Sequence, residues 1–176
     1  TSATTDASGN YSFTNLASGG YFVRAVGSSV TSSRTGYTAS CVPVMAFRTD
    51  ASSGTASDVT NYVGGHDPAT ADAGNAASGW VLDSATGVFS GSGSGKASAF
   101  APASPGTANV TGVDFGFNFD AIANTNDTGQ GSLRQFLTNA NTLGGDASLA
   151  QSGLVGAREN AVFMISGIPP AARMRR

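Results

Sequence analysis

The residues of this chain that can do chemistry are few and widely spaced. Asp58, Asp67, Asp72 and Asn75 bring oxygen ligands into one loop-rich stretch. Calcium is held by several such oxygens, so these four are the candidate metal ligands and calcium the candidate cofactor. Asp and Asn that bond their own backbone in turns account for the same residues. His66 is the single histidine, with no second His or Cys to complete a metal site and no serine placed as a nucleophile. Cys41 is the single cysteine, so no intrachain disulfide can form. Its apolar neighbours Val42 and Val44 predict a buried, inert thiol. Trp80, Tyr62 and Tyr37 are the aromatics that a sugar-binding platform would use; anchoring a core or a loop is the competing role. Glycosidase chemistry needs two flanking carboxylates. Many Asp pairs satisfy that on paper, so none is singled out, and no catalytic residue is predicted.

Composition narrows the function classes. Of 176 residues, 24 are Gly and only 11% are charged, against ~25% in ordinary globular domains. Lys96 and Glu159 are the only lysine and glutamate. A net charge of −2 argues against nucleic acid as a partner, because phosphate binding needs a basic field. No run approaches the ~20 apolar residues of a membrane-spanning helix. The chain opens on Thr1 and not on Met, which predicts a processed product or a fragment. Gly/Ser/Thr/Asn-rich, charge-poor sequence is common among secreted bacterial proteins and predicts an extracellular or cell-surface location.

The elements that would position these residues are mostly strands. Val113, Phe115, Phe117 and Phe119 alternate with Asp114, Gly116 and Asn118, which predicts a strand with one apolar face and one wet face. Asp6 to Asn10 is a turn, and Tyr11–Phe13 and Tyr21–Val26 are close enough to pair as an antiparallel hairpin. Residues 41–48 form another strand, with Pro43 at an edge or bulge. Residues 80–82 and 87–89 form a short hairpin, and 102–106 a turn. Ser132 and Gln135 have the spacing of a capping box at the start of a helix over about 132–142. Leu133, Phe136, Leu137 and Ala140 are its expected buried stripe. The continuous apolar run Ala161–Ile165 predicts a strand buried on both faces, over about 161–166.

Two stretches resemble known families. Residues 5–16 followed by Gly20-Tyr21-Phe22-Val23 resemble the T-D-x-x-G-x-Y-x-F-x-x-L-x-x-G-x-Y-x-V repeat of bacterial surface B-type domains, the Cna-B and Sdr B-like group. Val113–Phe119 resembles the closing strand of such a repeat. The resemblance implies a prealbumin-like, immunoglobulin-like β-sandwich over residues 1–120. Residues 124–135, with Ala140-Asn141, resemble the N-T-x-D-x-G-x-G-S-L-R entry motif of large secreted bacterial β-helix and adhesin-like proteins, with Phe136 in place of the usual Ala. Residues 121–176 would then be a linker, the capped helix, one buried strand, and a tail carrying Arg173, Arg175 and Arg176. Some B-type domains crosslink Lys to Asn beside a buried acid. The resemblance offers Lys96, Asn118 and Asp114 for that role, yet the family lysine belongs on a first strand that this chain lacks.

The expected fold is therefore mainly β: a sandwich followed by one short helix and a strand. The expected function is a non-catalytic structural or adhesive module. The alternatives are a carbohydrate-binding module or a fragment of a polysaccharide-active β-helix enzyme. The absent first strand predicts an open sheet edge, which favours pairing with another chain. The uncharged segment Thr1, Ser2, Ala3, Thr4, Thr5 could donate such a strand to a neighbour, giving a head-to-tail filament. The expected partners are further copies, other surface proteins and surface glycans.

Overall fold

A computed structural model describes residues 1–59, 81–83, 88–90, 99–145, 147 and 153–165. Within them the chain is mainly β, with one short α-helix. In order come β1 (Tyr21–Arg24), β2 (Val44–Asp50), β3 (Ser57–Asp58), β4 (Val81–Asp83), β5 (Val88–Ser90), β6 (Phe100–Ala103), β7 (Phe115–Asn118), β8 (Ala121–Ile122), α1 (Leu133–Leu143) and β9 (Val162–Phe163). Among the described residues no helix is long and apolar enough to cross a membrane.

Strand β2 is the hub. It lies between β3 and β7, antiparallel to both. Its register with β7 slips between Met45 and Phe47, where Gly116 faces Phe47. A Cβ on Gly116 would stand 3.0 Å from that of Phe47, so the glycine makes room for the ring. Pro43 sits just before the strand and not within it, where its missing N–H costs no ladder bond. The far end of β2 reaches the second sheet: Ala51 N donates to Pro102 O at 2.9 Å, and Ser104 N to Ala51 O at 3.1 Å.

The expected pairing of Tyr11–Phe13 with β1 does not form. β1 pairs instead with β6, Tyr21 opposite Ala103 and Arg24 opposite Phe100. The Asp6 turn closes on itself, its Oδ1 accepting from Ser8 N at 2.8 Å and Asn10 N at 2.9 Å. Phe22 meets Phe100 edge to face across the β1–β6 pair. Pro102, expected in a turn, is a residue of β6. Tyr11 is anchored elsewhere: its hydroxyl donates to Val113 O.

The Phe-rich segment is a strand, but a shorter one than its pattern predicts. Phe115 to Asn118 are all half-buried, and Asp114 is exposed. The hairpin β4–β5 forms as expected. Strands β8 and β9 run parallel, with α1 as the crossover between them. The apolar run 161–165 is not buried on both faces, for Phe163 is 44% and Met164 36% exposed. β9 pairs only with β8 among the described strands, and the apolar run reports a tendency to be covered that the described residues do not meet.

The core is thin. Among the described residues, half of the twelve buried apolar ones are alanines: Ala51, Ala99, Ala101, Ala103, Ala121 and Ala123. Each alanine removes little area from water, so each contributes less than a leucine would. Cys41 is buried among the rest, with its thiol 3.9 Å from Thr38 Oγ1.

The Tyr11 phenol is pushed up to about 12, first by burial and then by the nearby Asp114 carboxylate. A raised phenol pKa adds stability that is fully present below the ordinary value near 10 and is lost as pH rises through 12. Tyr11→Phe should therefore cost about 1 kcal/mol at pH 7 through the lost bond to Val113 O. Urea denaturation repeated between pH 9 and 12 should show the wild-type chain losing stability faster than the Phe variant.

Candidate functional site

The residues of the 124–141 motif converge on the start of β2. Ala123 N and Asn124 N both donate to Gly131 O, at 2.8 and 3.1 Å, which closes the loop before the helix. Asn124 is buried; its Nδ2 donates to Gln130 O at 2.9 Å and its Oδ1 accepts from Asn126 N at 3.2 Å. Gly131 has φ +77°, and a Cβ there would lie 2.8 Å from Asn124 Nδ2. A left-handed backbone pressed against a buried amide is a place only glycine fills without strain.

Ser132 caps the helix as its sequence position predicts. Its Oγ accepts from Gln135 N at 3.1 Å and donates to Gly129 O at 2.7 Å, and the residue is fully buried. The reciprocal half of the capping box is absent. Ser132 N donates to Gly129 O, so Gln135 has no cap amide to reach. Its Nε2 crosses to the chain leading into β2 instead, donating to Ser40 O at 2.8 Å, and donates within the helix to Asn139 Oδ1 at 2.9 Å.

Asn139 is the residue that sequence reasoning missed. It is 3% exposed and uses all four of its hydrogen-bonding positions. Oδ1 accepts from Val42 N at 3.0 Å and from Gln135 Nε2. Nδ2 donates to Val42 O at 3.0 Å and to Phe119 O at 2.9 Å. One amide thus joins the helix to the chain entering β2 and to the end of β7. Gln130 adds a parallel tie, its Nε2 donating to Pro43 O at 2.8 Å. At the far end of the helix Arg34 donates to Gly144 O at 2.6 Å, placing a cation at the negative end of the helix dipole. A signal for Asn139 was available: counted from the buried Phe136 and Ser132, position 139 falls in the buried phase of the helix.

That phase also corrects the expected stripe. Phe136 is buried, but Leu133 is 46% and Leu137 51% exposed. They face an open groove of about 520 Å³ with Ile122, Phe163 and Ile165, and with Asp127 and Arg134 on its polar rim. Arg134 Nη2 donates to Asp127 Oδ1 at 2.7 Å, and this contact raises the arginine pKa. Both side chains are well exposed, so the pair contributes little stability.

Most of the other candidates lie outside the described residues. Asp58 lies exposed on β3, while Asp67, Asp72 and Asn75 lie outside the described residues. Among the described residues no three His, Cys, Asp or Glu gather where a metal could bind. Lys96 also lies outside them. Asn118 Oδ1 accepts from Asp120 N at 2.5 Å, a local turn contact, and Asp114 is exposed where a buried crosslinking acid was expected. Trp80, Tyr62 and His66 lie outside the described residues. Tyr37 anchors a loop, donating to Val30 O at 3.1 Å with its ring edge-on to Phe119. The arrangement around α1 holds backbone to backbone and offers no nucleophile or paired acid and base. No protein-family model matches the chain, and no solved structure matches it.

Replacing Asn139 with Leu keeps the volume but strands Val42 N, Val42 O and Phe119 O, and should cost about 3 kcal/mol in urea denaturation. Asn141→Leu, on the exposed side of the same helix, should change stability by less than about 0.5 kcal/mol. Ser132→Ala should cost about 1 kcal/mol through the lost cap.

Proposed function

We propose that this chain is a non-catalytic structural module of a secreted or cell-surface bacterial protein. In this reading a B-type, prealbumin-like β-sandwich passes through the N-T-x-D-x-G-x-G-S-L-R segment into a parallel strand pair. The observation that carries it is the use made of the polar side chains of residues 124–139. Asn124 and Ser132 bond the backbone of their own loop, and Gln130, Gln135 and Asn139 bond the backbone of the chain leading into β2, while the exposed Asp127 and Arg134 pair with each other. Side chains committed inward in this way position backbone; they are not left to meet a substrate.

The module's partners are other copies and surface proteins, joined by strand addition. Thr1 to Thr5 are exposed and belong to no sheet, which suits a donated strand. Strand β1 has β6 on one side only among the described residues, which suits an acceptor edge.

Two measurements test the reading. The purified chain should release no reducing ends from a panel of bacterial and plant polysaccharides; release that a single carboxylate substitution abolishes would replace this reading with an enzymatic one. Light scattering of the full chain should give particles larger than those of a chain lacking residues 1–5. Equal particle sizes at high concentration would remove strand donation by that segment.

A further inference from the structure

The outer edge of β9 is built to pair. Val162 N donates to Asp120 O at 2.9 Å and Met164 N to Ile122 O at 2.8 Å, so these residues turn their polar groups toward β8. Along a strand that direction alternates, and Phe163 therefore turns its N–H and C=O outward. No described strand lies on that side. The run Ala161–Ile165 holds no charge, Pro or Gly to block an edge. Phe163 and Ile165 share the adjoining groove with Leu133 and Leu137. Of seven large hydrophobics exposed among the described residues, three (Leu133, Leu137 and Phe163) line this groove, while Met164 turns to the opposite face of β9.

We propose that this edge is a self-association site, occupied by β9 of a second copy. A free edge needs a partner with main-chain donors and acceptors, and an uncharged apolar run needs an uncharged apolar strand. The run 161–165 meets both needs itself. A twofold axis at Phe163 makes the pair antiparallel: the two Phe163 residues exchange both N–H···O bonds, and Ala161 lies opposite Ile165 of the partner. Among the described residues the rim charges, Asp127 and Arg134, pair with each other, so these parts of the two faces meet without net like charge.

Area sets the strength. The exposed Leu133, Leu137 and Phe163 offer on the order of 250 Å² of apolar surface per copy. With the strand backbone and rim, the pair would bury about 1,000 Å² in total, at the low end for a specific interface. The dimer is therefore reversible. Because the contact is isologous it closes at two copies, unlike a head-to-tail filament. It does not depend on strand donation by residues 1–5, nor on the structural reading above.

Sedimentation velocity on the full chain, from about 10 µM to about 1 mM, tests it. In a parallel run on the chain lacking residues 1–5, where strand donation by that segment cannot add larger particles, the weight-average mass should climb toward twice that of the monomer. Phe163→Lys should weaken the association at least about tenfold, which is ~1.4 kcal/mol. Leu137→Lys, outside the strand, should weaken it in the same direction. Removing residues 1–5 should leave it unchanged. Circular dichroism and urea denaturation check that each variant is folded. A mass that stays monomeric across the range overturns the proposal. So does association that survives both lysine substitutions in folded chains, or association that residues 1–5 alone control.

Discussion

The structure depends on one buried carboxamide. Asn139 meets a backbone N–H, two backbone carbonyls and the Gln135 side chain, and has no hydrogen-bonding capacity left over. In a weakly polarisable interior such bonds are strong, and losing one partner is costly because the rest stay dry. The amide also acts as a gauge. Only one placement of α1 lets it reach Val42 and Phe119 together, so the helix cannot slide along the sheet. That matters here because alanines, which make up half of the buried apolar set, supply little shape to key one element against another.

This balance explains the pattern of what was legible in the sequence. Local features could be read directly. The Ser132 cap and the length of α1 follow from short-range chemistry, and the β4–β5 hairpin from two apolar triplets around a turn. Long-range pairing could not be read, since nothing in Tyr21–Arg24 encodes a preference for Phe100–Ala103 over Tyr11–Phe13. The helix phase was misread for a different reason. Ranking by hydrophobicity puts Leu133 and Leu137 inside and Asn139 outside, but a polar group with every bond satisfied can occupy the core. The run Ala161–Ile165 misled in the opposite direction, because an apolar run reports a tendency to be covered and not the presence of a cover.

The site was legible in part. The spacing of Asn124, Gly129, Gly131 and Ser132 marks a tight loop feeding a helix, and that loop is present. Its orientation toward β2 depends on Gln130, Gln135 and Asn139 finding carbonyls almost a hundred residues away in sequence. No periodicity carries that information. The candidate metal and crosslinking residues were chosen for their chemistry alone, and most of them lie outside the described residues.

The position of β2 has a consequence for how the chain reaches this state. Its partner β7 and the β6 residues that touch its end are made much later than β2 itself, and β1 waits equally long for β6. Closing such large loops costs chain entropy before any contact repays it, so acquisition of this topology is slow compared with a helical chain of equal length. On a ribosome the first fifty residues would emerge with every one of their strands unpartnered. A sequence this poor in charge then carries few of the charged residues that ordinarily keep unpaired strand edges from finding the wrong partner while they wait.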